Sequence, residues 1–240
     1  MMTKIIFQTK KRICFKSYNE FISDPKFSDY EGSDFHVGLV PVPFHGSLES
    51  ADIFIGLINP GFKILDYYVE ENQAYRSLLL RNLKQDLKTE EYPFIPLDPK
   101  WHWTSGGKWW NDLFIKIIGE LREKGLTNSY SDAAKFISKR IAALEFIPYH
   151  SVDSGNAQKL AKKLKSSELV KDYVKRQVLP KAANGQALLV IVSGLRMWDI
   201  KEGCKNVIYP STKKSPKAYF SMKEDGAGTA ILNWLTKSQG

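Results

Sequence analysis

The sequence predicts an α/β fold with three layers, in which helices cover both faces of a central, mainly parallel sheet of four strands. Two observations support this fold class. Short apolar runs that end in turn residues suit strands buried on both faces, and amphipathic segments with a helical period lie between them. Strands that alternate with helices along a chain are typical of parallel sheets.

The four predicted strands are short and apolar. The first, ADIFIGLI, is ended by Asn-Pro-Gly, and the fourth, NVIY, is ended by Pro210. The other two read IAALEFIPY and ALLVIVSGL, and both are rich in the aliphatic residues of buried strands. The strands are therefore predicted at residues 51–58, 141–149, 187–195 and 206–209.

The helices are predicted from apolar residues spaced three and four apart. In residues 106–125 one face carries Trp109, Trp110, Leu113, Phe114, Ile117, Ile118 and Leu121. In residues 166–185 the apolar face carries Leu169, Val170, Tyr173, Val174 and Val178. Residues 228–237 are predicted to form a closing helix, and residues 85–106 an irregular stretch.

The composition suits one basic domain. The chain has 240 residues, with 35 lysines and arginines against 26 acidic residues and a formal charge of +9; this sign is expected of proteins that meet phosphate backbones. Cys14 and Cys204 form neither a disulfide framework nor a four-cysteine metal site. No apolar stretch approaches the ~20 residues that span a bilayer. We expect a cytoplasmic monomer without membrane, metal or cofactor, one domain over 1–240 with 1–50 packed on it as an N-terminal extension.

The ends of the predicted strands supply the candidate site, because ligands of open parallel sheets bind beyond the carboxyl ends of the strands. The first strand delivers Asn59-Pro60-Gly61-Phe62 and the second Tyr149-His150-Ser151. The third delivers Ser193-Gly194 and the fourth Tyr209-Pro210-Ser211-Thr212. Of the four histidines only His150 stands at a strand end; His36, His45 and His102 are expected in loops.

The order of these motifs resembles that of the uracil-DNA glycosylase superfamily over roughly residues 50 to 235. Asn59-Pro60-Gly61 is similar to the first motif of the branch specific for thymine and mismatches. In that branch the Asn positions the water that attacks the sugar carbon, so the resemblance implies this role for Asn59. An amide can hold water by hydrogen bonds without carrying charge.

The resemblance also implies a set of base-binding residues: Ile58, Gly61, Phe62, Tyr68 and Tyr209. Phe62 is the leading candidate for stacking on a flipped base, and Tyr68 lies in the segment expected to enclose the pocket. Members restricted to uracil have a Tyr where this chain has Gly61, so space is expected at C5 of the base. Tyr209 replaces the histidine that stabilises the departing base in those members, which argues against strong activity on ordinary uracil.

Two further regions are implied by the same resemblance. His150 stands where the family reads the base edge, commonly with Asn, and is expected to bind the base or to assist its departure; a structural histidine is the alternative. Ser211 matches a serine that grips a DNA phosphate, and Lys213 and Lys214 add positive charge beside it. Lys213 stands where some relatives have a Leu wedge.

The predicted function is that of a monofunctional DNA glycosylase. It would flip and release a C5-substituted or modified pyrimidine, either a mismatched thymine or uracil or an enlarged phage cytosine, and leave an abasic site. One alternative is a DNA-binding module that has kept the fold and lost catalysis. The other is an enzyme of similar fold that acts on nucleotides and shows little salt dependence.

Overall fold

A computed structural model describes residues 12–25, 35–152, 161, 163–210 and 215–237. Its main sheet has five strands in the order β3-β5-β4-β6-β7. These are β3 (Phe44–His45), β4 (Ile53–Leu57), β5 (Ile141–Glu145), β6 (Leu188–Ile191) and β7 (Val207–Ile208). A separate parallel pair joins β1 (Arg12–Ile13) to β2 (Phe35–His36).

The prediction of four mainly parallel strands is wrong in one respect, because the sheet is mixed and has five strands. β4, β5, β6 and β7 are parallel, as predicted, and β3 is added antiparallel to β5 at one edge. β3 is two residues long and directly follows Pro43, which cannot donate to a ladder and is tolerated at sheet edges. The fold class is therefore α/β with a mixed sheet.

The helices lie between the strands in chain order. They are α1 (Tyr18–Ile22), α2 (Leu65–Glu71), α3 (Gln73–Leu83), α4 (Ser105–Glu123), α5 (Tyr130–Ser138), α6 (Lys165–Tyr173), α7 (Leu179–Ala183), α8 (Leu195–Trp198), α9 (Pro216–Tyr219) and α10 (Ala227–Lys237). A π-helical segment, Val174–Val178, joins α6 to α7, and two short 3₁₀ helices, Ile95–Leu97 and Pro99–Trp101, precede α4. No helix in the described ranges is long and apolar enough to cross a membrane.

Two hydrophobic clusters form on opposite faces of the sheet. Along β4, Ile53, Ile55 and Leu57 belong to the cluster that α4, α5 and α10 cover. Phe54 points the other way, into the cluster that contains residues of α6 and α7. This alternation is the period of two expected of a strand buried on both faces, and it places helices against both sides of the sheet.

The predicted helix faces are confirmed with two exceptions. The buried residues of α4 are those predicted, but Trp109 is 37% exposed. Leu169 on α6 is 59% exposed and does not join the buried face. Each exception lies at the border of the apolar stripe, where a turn of 3.6 residues leaves one of two neighbouring apolar positions facing solvent.

Candidate active site

Asn59 joins the segments that follow β4 and β5. Its Nδ2 atom donates to the carbonyl oxygen of Pro60 at 2.8 Å and to Oγ of Ser151 at 3.0 Å. A carbonyl oxygen can only accept a hydrogen bond, so the atom of Asn59 that contacts Pro60 has to be the amide nitrogen Nδ2 and not the oxygen Oδ1. No hydrogen bond within the described ranges uses Oδ1 of Asn59, which leaves that oxygen as the acceptor for a ligand or water.

His150 is held on the same turn. Its Nδ1 atom lies 2.8 Å from the carbonyl oxygen of Gly61, so Nδ1 carries the proton and donates. The other ring nitrogen, Nε2, is buried and has no hydrogen-bond partner in the part of the chain that the structure describes. His150 therefore presents one uncommitted nitrogen beside the Asn59 turn.

A half-buried carboxylate lies near His150. Asp66, near the start of α2, accepts a hydrogen bond from the backbone N–H of Lys63 at 2.7 Å. Burial raises the pKa of Asp66, and the charge of His150 together with hydrogen bonds from Lys63 and Ser105 opposes that rise.

The structure corrects the end of the second predicted strand and thereby reveals a residue that the sequence analysis missed. β5 stops at Glu145 and does not continue to Tyr149. Glu145 is 5% exposed, and its Oε2 atom has no hydrogen-bond partner among the described residues. Burial raises the pKa of Glu145 to about 8, so the carboxyl is mostly neutral at pH 7. A single acidic residue within the apolar run IAALEFIPY was the available signal.

Phe62 lies in an aromatic cluster with Phe21, His36 and Tyr67. It is 5% exposed, and the His36 ring stacks on it with 3.4 Å between centroids and 10° between planes. Burial, with a smaller contribution from the charge of His150, lowers the pKa of His36 to about 3, so the stacked ring is neutral. The face expected to receive a base is thus occupied by His36, and a base could reach it only if this ring moved.

The surface beside the Asn59 turn is more open. Tyr68 is 50% exposed and makes edge contacts with Tyr18 and with Trp103, which is itself 49% exposed. Gly61 is exposed, and a Cβ atom added to it would meet no atom within 4 Å. A larger side chain at Gly61 would therefore fit the fold.

The remaining predicted site residues lie elsewhere or outside the described ranges. Ile58 and Tyr209 are half-buried and pack against the cluster on the α6 and α7 side of the sheet. Ser211, Lys213 and Lys214 lie outside the described residues. His36 and His45, expected in loops, lie in β2 and β3. Burial, with a smaller contribution from the charge of His150, lowers the pKa of His45 to about 3.

No group of three or more His, Cys, Asp and Glu within the described ranges could hold a metal ion. Comparison with protein-family models, with curated proteins and with solved structures finds no match for this chain.

Proposed function

We propose that this protein is a monofunctional DNA glycosylase that hydrolyses the N-glycosidic bond of a flipped pyrimidine. The observation that carries the proposal is the Asn59 side chain at the carboxyl edge of the sheet. Its Nδ2 atom is engaged by Pro60 and Ser151, which fixes the amide while Oδ1 stays available. An amide held in this way can orient a water at a carbon atom without adding charge.

The reaction follows from this arrangement. As the bond between C1′ of the sugar and N1 of the base breaks, its electron pair leaves with the base and C1′ becomes electron-poor. The water held by Oδ1 of Asn59 attacks C1′ and forms the new C1′–O bond, and the proton that the water loses neutralises the released base, which leaves an abasic site. His150 contributes through Nε2, which can donate to the departing base when the ring is protonated.

The proposal includes the DNA partner and the rest of the predicted site. Ser211, Lys213 and Lys214 would hold the strand through its phosphates, and Tyr68 would contact bases beside the flipped nucleotide. Gly61 leaves room for a substituent at C5 of the pyrimidine. We also propose that the domain has the three-layer fold of the glycosylases that it resembles, and the helices on both faces of the sheet support this.

Asn59→Ala tests the proposal. The wild-type protein is incubated with duplexes that contain uracil, a T·G mismatch or 5-hydroxymethylcytosine and with glucosylated phage DNA, and abasic sites are cleaved with alkali. We expect base release by the wild type, and a loss of about 100-fold or more in Asn59→Ala. Asn233→Ala, an exposed Asn on α10, is the matched control. Full activity of Asn59→Ala would refute the role of Asn59.

The same assay separates the alternatives. Salt-dependent duplex binding without abasic product would identify an inactive DNA-binding module. Activity on free nucleotides that changes little with salt would identify a nucleotide enzyme, because duplex binding releases counterions and weakens steeply as salt rises.

A further inference from the structure

Glu145 is a buried carboxyl at the carboxyl end of β5, the strand flanked by β3 and β4 in the sheet. Its register partner on β4 is Leu57. Its Oε2 atom is buried and lacks a hydrogen-bond partner in the described part of the chain. Leaving a polar group buried and unpaired costs about 1–3 kcal/mol, so its presence here requires a reason.

A second buried carboxyl shows what a structural role looks like in this fold. Glu70 on α2 is 7% exposed, and both of its oxygens accept from the backbone N–H of Val40 at 3.0 Å. Arg76 adds an ion pair at 2.7 Å. Glu70 thus holds the backbone at Val40 against α2. Among the described residues Glu145 forms no such ion pair, and burial is the cause of its raised pKa.

Glu145 and Asn59 lie near each other on the same face of the sheet. Leu57 and Glu145 are paired neighbours in a parallel ladder, so their side chains lie on the same face of the sheet. Asn59 follows two residues after Leu57, about 7 Å further along the strand direction. The backbones stay joined over this stretch, because Ile147 donates to the carbonyl of Ile58 at 2.8 Å. A base whose sugar carbon faces Asn59 would therefore have its far edge on the side of Glu145, and it would meet the carboxyl once the residues that cover Glu145 move apart.

On the basis of the proposed glycosylase function, we propose that the neutral carboxyl of Glu145 binds the ring edge of a cytosine-type base and protonates its N3 atom. A neutral carboxyl has one O–H donor and one carbonyl acceptor side by side. Cytosine presents the complementary pair, an unprotonated N3 that accepts and an exocyclic amino group that donates.

Proton transfer would make such a base able to leave. The proton moves from the carboxyl oxygen of Glu145 to N3, the C1′–N1 bond breaks, and its electron pair stays on N1, so the base departs as a neutral molecule. The proton released by the attacking water restores the carboxyl of Glu145. Uracil and thymine already carry a hydrogen on N3 and leave as anions, so this step gives them no advantage.

The test compares wild type with Glu145→Gln and Glu145→Leu, on duplexes that contain cytosine, 5-hydroxymethylcytosine, uracil or a T·G mismatch and on glucosylated phage DNA. Gln keeps two hydrogen-bonding groups and cannot deliver a proton, so we expect binding within about threefold of wild type. Release of the cytosine-type base should fall about 100-fold or more. Leu removes both functions from an apolar site and should lose binding as well as release. Glu168→Gln, an exposed Glu on α6, is the control.

The outcomes are distinguishable. Wild-type rates in either Glu145 variant, or a wild-type protein that releases uracil or thymine and no cytosine-type base, would overturn this inference and leave the glycosylase function standing. No base release by the wild type on any of these DNAs would overturn the glycosylase function and this inference together. Thermal unfolding of both variants confirms that any loss arises in folded protein.

Discussion

Replacing Glu145 by Gln keeps the shape of a buried side chain and removes its ability to ionise. Burial raises the pKa of this carboxyl from the ordinary value of 4.5 to about 8 in the folded chain. The folded state therefore binds the proton more tightly than the unfolded state between these two values. The free energy of unfolding of the wild type should be highest below pH 4.5, as far as this group is concerned, and should fall as pH rises toward 8.

The expected magnitude follows from the same two values. A tenfold difference in proton affinity is worth about 1.36 kcal/mol, so the full difference between 4.5 and about 8 is worth about 5 kcal/mol. Two effects lower this value: water reaches the ionised group by local rearrangement, and at pH 8 the folded carboxyl is only about half ionised. We therefore expect about 2–4 kcal/mol at pH 8. Glu145→Gln should thus resemble the wild type in stability at pH 5 and exceed it by about this amount at pH 8.

Urea unfolding of both proteins at pH 5 and pH 8 measures the effect. Asp66 and Glu70 also have raised pKa values, but they are present in both proteins and cancel in the difference. The reasoning would be refuted if the stability difference between wild type and Glu145→Gln changed by less than about 0.5 kcal/mol between the two pH values, since Glu145 would then ionise without cost.

Three further changes test other parts of the structure. Ser151→Ala removes a partner of Asn59 and should lower the rate of base release about 10-fold while DNA affinity, measured by fluorescence anisotropy, stays the same. Gly61→Tyr should leave the thermal midpoint within about 2 °C, because the position is open, yet exclude bases with a C5 substituent in the alkali-cleavage assay. Asn82→Ala removes hydrogen bonds to Gly46 N and Phe44 O that hold β3 and should cost about 2–3 kcal/mol in urea unfolding.

The parallel strands and the long helix were predictable because their apolar residues are numerous and periodic. Ile53 to Leu57 are all buried, and the face of α4 repeats over five turns. The length of β5 was not predictable from apolar character alone. Phe146 and Ile147 remain apolar and buried and still donate to the carbonyls of Leu57 and Ile58. The regular pairing of the strand nevertheless ends at Glu145, and Pro148 has no N–H to give to a neighbouring strand. The carbonyl of Phe146 is satisfied instead by Oγ of Ser167 at 2.7 Å.

β3 and the helices after the Asn59 turn were missed for a different reason. β3 is held by the side chain of Asn82, which lies 36 residues or more away in sequence, so its order depends on tertiary contacts. α2 and α3 carry few buried apolar positions, since only Tyr67 and Val69 of α2 and Leu79 of α3 are buried hydrophobic residues. Their helical period is correspondingly weak in the sequence. Asn72 caps α3 through Ala74 N and Tyr75 N, a short polar signal that is common in turns as well.

In the candidate site, too, the types of the residues could be predicted from the sequence, whereas their contacts with distant segments could not. Asn59 and His150 were selected by type and by position at predicted strand ends. Asn59 lies just after β4, whereas His150 lies well beyond the end of β5 at Glu145 and is held beside the Asn59 turn by its contact with Gly61. The sequence could not predict that the His36 ring covers the face of Phe62, because this stacking joins residues from separate segments. The stacking makes a physical demand on the proposed reaction, since a base can gain stacking on Phe62 only after losing the His36 contact. In the proposed reaction, a base bound through Glu145 and Asn59 would not have to displace the His36 ring, but the residues that cover the buried carboxyl of Glu145 would have to move apart. We therefore propose that this site recognises the polar edge of the base rather than its ring face.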